Sequence, residues 1–222
     1  MSIQNEKTIK VYTKKAKQYL INNSKINPIE LKKANNKLHR LIKKWFGLLP
    51  KGSKVFEVGS ADGVNALYIQ KIGLDITASD IADDFINEIK KKNLNVVKFN
   101  ILKDRFIEKY SGIFCWKVFV HFTTDDVLTA LENIYYALEN NGILIFNLIS
   151  NETKSIKEEW IDFPNEYSIG MKRFFRYYSK EEMDNIIERT NFKILDFHQE
   201  FGTEKIKWLI YVLKKEDDSI EY

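Results

Sequence analysis

The chain reads as α/β, a parallel sheet covered by helices on both faces, and three observations predict it. From Lys54 onward, short apolar runs alternate with helical patterns, the order that builds strand-helix-strand crossovers. The first run, Val55-Phe56-Glu57-Val58, ends in a glycine-spaced turn, Gly59-Ser60-Ala61-Asp62-Gly63, and a helical pattern starts directly after it. No Pro/Ser/Gly-rich linker divides the 222 residues, of which 44% are hydrophobic, so one core and one domain over 1–222 are expected.

Residues 1–50 read as a helical cap. Ile9, Tyr12, Ala16 and Tyr19 recur at helical spacing. A second helix is signalled by Asn27 as N-cap, Pro28 at the first position and Glu30 at the third, with Leu31, Ala34, Leu38, Leu41, Ile42 and Trp45 as its buried stripe and Gly47 at its end. Residues 51–150 form the ligand-binding core. Its second apolar run closes at Asp80 and its third, Leu94 to Phe99, at Asn100, and helices are read at about 63–72, 82–92 and 125–139. Thr124 is placed to cap the last of these, with Asp125 and Asp126 suited to its dipole. Residues 151–178 read as an irregular substrate loop rich in rings and guanidiniums, among them Trp160, Phe163, Tyr167, Arg173, Phe175, Arg176 and Tyr177. Such long connections at the carboxyl ends of strands shape ligand crevices; the alternative is that the rings pad the sheet edge while the arginines pair with carboxylates. In 179–222, Ser179 and Glu182 form a capping box for a helix over 180–190, and strands at 192–200 and 205–213 meet across Phe201-Gly202-Thr203-Glu204 as a hairpin.

Residues 1–54 carry 14 Lys/Arg against Glu6 and Glu30, a net +12 in a chain whose total is +4. The lysines are either solvated helix faces or a cap whose field favours an anionic acceptor. Lone Cys115 cannot form an internal disulfide, no signal-peptide pattern opens the chain, and no apolar run approaches the length of a membrane span. A cytoplasmic protein without membrane or metal partners is expected.

The chemistry centres on the turn after the first apolar run. Gly59 and Gly63 reach backbone angles closed to other residues, and the helix that follows offers free N–H groups. Seventeen residues past Gly63, Asp80 is placed to accept the two hydroxyls of a ribose. Together they describe a nucleoside-type cofactor site. A dinucleotide turn requires a third glycine at position 64, which is Val64, so that template fails.

The observed order, Glu-x-Gly-x-Ala-x-Gly, resembles the first motif of class I S-adenosylmethionine-dependent methyltransferases. Tyr110 to Trp116 is similar to that family's fourth strand and Asn140-Asn141-Gly142-Ile143-Leu144-Ile145-Phe146 to its turn and fifth strand, and coverage runs from about Thr8 to Lys214. Lys207-Trp208-Leu209 and the Tyr12, Ala16, Tyr19 pattern resemble a bacterial small-molecule branch. Two departures are Ala61, in place of the middle glycine, and Gly112, where an aspartate often begins the fourth strand. The resemblance implies a Rossmann-like, seven-stranded, mostly parallel sheet whose last strand inserts antiparallel between its neighbours. It implies S-adenosylmethionine as cofactor and S-adenosylhomocysteine as product. Glu57 then faces the methionine ammonium, Gly59, Ser60, Ala61 and Gly63 wrap the methionine moiety, Asp80 takes the ribose, Ile81 and Ile101 sandwich the adenine, Asn100 reads its amino group, and Cys115 and Trp116 complete the pocket.

Methyl transfer asks the protein for in-line placement of a nucleophile and, for a hydroxyl, removal of a proton. His121, just beyond the fourth strand, is the candidate base, with an ordinary pKa near 6.5 suited to neutral pH; a structural histidine is the competing reading. Tyr12, Tyr19, Lys117, Arg173, Arg176 and Tyr177 are candidates for holding the acceptor. The favoured function is methyl transfer to oxygen of a small polar acceptor, with an anionic one or a surface-glycan precursor in view. A nucleic-acid methyltransferase is weighed against it because of the basic segment, but no Asn/Asp-Pro-Pro-Tyr/Phe motif follows the fourth strand, where Cys115-Trp116-Lys117-Val118 stands. A non-catalytic binding protein is the third alternative, and the oligomeric state is left open.

Overall fold

The computed structural model describes residues 1–25, 28–152, 154, 156–163, 170–202 and 206–216, with the side chains of Pro28, Glu30, Leu31, Lys33 and Ala34 excepted. Asn27 as N-cap, Tyr167, and Thr203 and Glu204 of the hairpin turn lie outside the described residues. The elements run α1 (Ile3–Ser24), α2 (Pro28–Phe46), β1 (Lys54–Val58), α3 (Val64–Lys71), β2 (Asp75–Asp80), α4 (Asp83–Lys90), β3 (Asn95–Lys98), β4 (Tyr110–Cys115), a 3₁₀ turn (Phe119–His121), α5 (Thr124–Ala137), β5 (Leu138–Ser150), β6 (Glu158–Asp162), β7 (Lys172–Tyr178), α6 (Lys180–Glu188), β8 (Phe192–Phe201) and β9 (Lys207–Lys215).

The sheet follows the order β3-β2-β1-β4-β5, parallel throughout. β9 then pairs antiparallel with β5 from Ile143↔Lys214 to Ile149↔Trp208 and with β8 on its other edge, so the late strand lies between its neighbours as the resemblance implies. Alternate residues feed two cores, as the period of two along a strand requires. Leu144, Phe146, Leu209 and Tyr211 meet Ala130, Leu131 and Ile134 of α5 and Ile186 and Ile187 of α6. Ile143, Ile145, Ile210 and Val212 meet Leu41, Ile42 and Phe46 of α2 and Ala66 and Ile69 of α3. Thus α2 belongs to the sheet's covering layer, and of the two expected cap helices only α1 lies over the site.

The described residues of 151–178 do not form one irregular loop. Glu158–Asp162 and Lys172–Tyr178 pair antiparallel as β6 and β7, and β7 joins the sheet where β5 outruns β4: the β4 pairing ends at Phe146, whereas Ile149 and Ser150 pair with Tyr177 and Tyr178. A second correction concerns α5, whose N-cap is Thr123, its hydroxyl accepting from the Asp126 N–H, with Thr124 as the first helical residue. Asp126 has a second task, its carboxylate accepting from the backbone N–H and hydroxyl of Ser2, the residue that caps α1. At Ser179 half of the expected box forms: the hydroxyl accepts from the Glu182 N–H at 2.9 Å, while the Glu182 carboxylate turns to Arg176.

Candidate active site

The turn from β1 to α3 is held by backbone geometry and one carboxylate. Gly59, Ala61 and Gly63 all have positive φ, 73°, 48° and 74°. A Cβ on Gly59 would lie 2.6 Å from Val118 Cγ2, and one on Gly63 would lie 3.1 Å from Ile89 Cγ1. Both glycines are therefore demanded by φ and by protein packed against them, a reason different from close approach of a ligand. Asp80, 5% exposed, accepts from Ala61 N–H through Oδ2 at 2.9 Å and from Ile81 and Ala82 N–H through Oδ1 at 2.7 and 3.2 Å. Burial raises its pKa while these three donors oppose the shift. Oδ1 is filled and Oδ2 keeps one lone pair, so Asp80 fastens the loop first and has one acceptor position left for a ribose hydroxyl.

Glu57 is 1% exposed, and its Oε2 has no hydrogen-bond partner among the described residues. Burial pushes its pKa up to about 7 against the contrary effect of the Ser60 and Asn65 side chains. A buried carboxylate with an unfilled oxygen fits a cationic ligand group such as the methionine ammonium, and the residues present fit a nucleoside sulfonium cofactor. Ser60 is buried, its N–H donating to the Ser79 carbonyl at 2.8 Å. Ile81 is half-buried and Ile101 buried in the core beneath α5. Asn100 holds its own turn, Oδ1 accepting from Leu102 N–H at 3.0 Å and Nδ2 lying 3.6 Å from Met1 Sδ. Cys115 is fully buried, burial raising its thiol pKa well above the ordinary value, and half-buried Trp116 stacks on Phe114.

The second half of the site is assembled from α1, the 3₁₀ turn and β7. His121 is 7% exposed. Its Nδ1 lies 2.7 Å from the Phe174 carbonyl, which can only accept, so Nδ1 carries the proton and Nε2 is the acceptor. Tyr12 Oη lies 2.9 Å from Nε2 and therefore donates to it. Arg173 Nη1 donates to the same Tyr12 oxygen at 3.0 Å. The result is a directional chain, Arg173 to Tyr12 to His121 to the Phe174 carbonyl, that leaves one lone pair on the phenol oxygen. Burial, with the Arg173 charge as a smaller cause, lowers the His121 pKa to about 4, which corrects the near-neutral value expected from the sequence. Burial likewise raises the Tyr12 phenol, and Tyr19 to about 12.

Arg173 is caged by rings, its guanidinium 5.0 Å from the centre of Phe163, 5.1 Å from Phe175 and 5.6 Å from Tyr12. Its Nε has no partner among the described residues, and no ion pair among them involves it. This chain stands beside the cofactor turn: Tyr12 and Tyr19 pack with Ala61, Ala82 and Phe85, and Val118, three residues before His121, abuts Gly59.

Thus the expected acceptor residues separate into two groups. Tyr12, Tyr19, Arg173 and His121 are brought together. Arg176 instead pairs with Glu182 and, at 3.6 Å, Glu158; Tyr177 donates to Glu159; exposed Lys117 lies 5.5 Å from the centre of the Trp208 ring. Sequence reasoning passed over Thr8, whose hydroxyl accepts from the Phe174 N–H at 2.9 Å and ties α1 to β7, and over Val118. Thr8 lies four residues before Tyr12, on the same helical stripe, which was its only signal.

A sequence model of a family described as the methyltransferase domain matches residues 31–196. No curated protein matches the chain in sequence. Among solved structures, an S-adenosylmethionine-dependent methyltransferase from Methanosarcina mazei is similar with a TM-score of 0.68 at 11% identity, covering 77% of this chain and 96% of that one. The 1,6-didemethyltoxoflavin-N1-methyltransferase of Burkholderia thailandensis, with bound 1,6-didemethyltoxoflavin and S-adenosylhomocysteine, gives 0.64 at 14%, covering 81% and 76%. The magnesium protoporphyrin IX methyltransferase of Synechocystis, with bound S-adenosylhomocysteine, gives 0.63 at 13%, covering 85% and 84%. At these identities the likeness is one of fold.

Proposed function

We propose, from the premise that this chain belongs to the methyltransferase domain family, that it methylates a hydroxyl of a small anionic acceptor. The enzyme takes its methyl from S-adenosylmethionine, which supplies an electrophilic methyl on a sulfonium with a good leaving group. Glu57, the Gly59–Gly63 turn and the free lone pair of Asp80 would hold that cofactor, with Ile81, Ile101, Asn100, Cys115 and Trp116 proposed to surround its nucleoside. The Arg173–Tyr12–His121 chain beside this turn carries the reading. An acceptor hydroxyl donates to the remaining lone pair of Tyr12; as its oxygen is alkylated, the proton passes to Tyr12 while the phenol proton moves to His121 Nε2. A pKa of about 4 suffices for His121, because an alkylated oxonium is a far stronger acid than an imidazolium. Arg173 polarises the phenol O–H and eases its proton toward His121, and the unfilled Nε of its guanidinium, which no ion pair among the described residues neutralises, favours an acceptor with an anionic group; the small molecules named for two structural neighbours support a small acceptor over a polymer.

The test is incubation with methyl-labelled S-adenosylmethionine and a metabolite extract, beside calorimetry with S-adenosylhomocysteine and NAD. Label is expected in a small, anionic, hydroxyl-bearing metabolite, and binding is expected for S-adenosylhomocysteine alone. Label confined to RNA or to amines overturns the acceptor class; binding without turnover across the extract favours a non-catalytic role; NAD binding in place of S-adenosylhomocysteine overturns the cofactor.

A further inference from the structure

Away from this chain of hydrogen bonds, the outer flank of α1 and the β6–β7 hairpin enclose an open groove of about 340 Å³. Lys7, Lys10 and Lys14 line it from α1, and Lys172 and Trp160 from the hairpin, with Val11 as its apolar floor. Positions 7, 10, 11 and 14 form one helical stripe, whereas Thr8, Tyr12, Ala16 and Tyr19 face the site, so the groove is separate from the reacting atoms. Three ammoniums at that spacing repel one another. Other lysines near α1 have carboxylate partners, Lys17 with Asp84 at 3.8 Å and Lys103 with Glu6 at 3.7 Å, yet no ion pair among the described residues involves Lys7, Lys10, Lys14 or Lys172. Trp160 is 37% exposed, held at an angle of 61° against Phe174 with Lys7 Nζ 5.7 Å from its centre.

We propose that this groove is a second binding site, for a phosphate or diphosphate ester carrying a planar group. Four converging cations supply the charge that phosphates require, and the indole face supplies a stacking surface for a ring. Its volume sets the scale of what the groove itself holds: it lies at the lower end of small-ligand pockets, on the order of one nucleotide. The existence of the site does not rest on the methyl-transfer reading; only the assignment of its ester to the acceptor does. The ester is either a remote part of the acceptor or a separate effector.

The experiment is calorimetry on the full chain with inorganic pyrophosphate and with ADP, S-adenosylhomocysteine being titrated in parallel samples. Both phosphates are expected to bind, more weakly as salt rises, and Lys10→Glu with Lys14→Glu should weaken both by about tenfold or more. Trp160→Ala should weaken ADP while sparing pyrophosphate. All variants should keep the far-UV spectrum and the S-adenosylhomocysteine affinity. In methylation assays, pyrophosphate that raises the acceptor KM identifies the ester as the acceptor's own, and a change in kcat alone identifies an effector; either result supports the site. Absence of pyrophosphate binding, binding retained by the double variant, or a single-stranded RNA preferred to ADP overturns it. Since S-adenosylhomocysteine is read separately, that failure leaves the methyl-transfer reading standing, and loss of S-adenosylhomocysteine binding alone strikes only the latter.

Discussion

With Nδ1 committed to a carbonyl and Nε2 to a phenol, His121 would enter the proposed reaction through Tyr12. Two expectations follow for kcat at saturating cofactor. Tyr12→Phe removes the atom proposed to meet the acceptor and should lower kcat by roughly 10²-fold with S-adenosylhomocysteine affinity nearly unchanged, as read by steady-state kinetics and calorimetry. The wild-type kcat should stay level from neutrality down to about pH 5 and fall only toward the His121 value of about 4; a midpoint near 6.5 would place the proton elsewhere. Asp80 gives the third expectation. Asp80→Ala strips acceptors from three backbone N–H groups, so it should lose about 1–3 kcal/mol of stability to urea unfolding as well as S-adenosylhomocysteine affinity. Wild-type stability in that variant would contradict the fastening role. At this scale the sequence singled out Tyr12, His121 and Arg173, which the structure brings into one hydrogen-bonded chain, but it could not sort Arg173 from Arg176. In a strand, residues an odd number apart face opposite ways, and that parity is invisible while the segment is read as a loop.

At the scale of elements, residues 158–162 and 172–178 lack the signals that mark strands in a sequence. β6 and β7 carry no Asn-Gly or Asp-Gly turn, and β6 alternates exposed with half-buried residues, so neither a tight hairpin signal nor an apolar run marks them. By contrast, β1, β2 and α5 are bounded by an apolar run or capping residues and were legible to within a residue or two, Thr123 against Thr124 being the kind of error that two adjacent threonines produce. The pairing of the β1–α3 turn with the 3₁₀ turn was hidden because it joins Gly59 to Val118 across the sheet's carboxyl ends. It is open to a double-mutant cycle. Gly59→Ala should cost about 1–2 kcal/mol through its positive φ and about 1–3 kcal/mol through overlap with Val118 Cγ2. Adding Val118→Ala should recover part of the second and none of the first. Strictly additive losses in urea unfolding would show that the two turns do not press on one another.

Across the whole molecule, two buried groups in opposite halves of the site oppose each other in pH dependence. Between pH 4 and 6.5 the unfolded chain holds a proton on His121 that the folded chain lacks, so stability rises with pH. Between pH 4.5 and 7 the folded chain holds a proton on Glu57 that the unfolded chain has lost, so stability falls with pH. Each slope approaches about 1.4 kcal/mol per pH unit. In the overlap they cancel. Urea unfolding at pH 4.5 and 6.5 should therefore show that Glu57→Gln gains about 2–3 kcal/mol across that interval relative to wild type, and His121→Asn loses a similar amount. Equal pH profiles for all three proteins would refute the two burial shifts. The sheet's strand order carries a further consequence, for biosynthesis. β9 fills the gap between β5 and β8, so residues 207–215 complete the middle of the sheet although they are translated after every other strand. Until they leave the ribosome, β5 shows an uncovered edge rich in Ile, Leu and Phe, the kind of unpaired strand that is open to wrong pairing during folding.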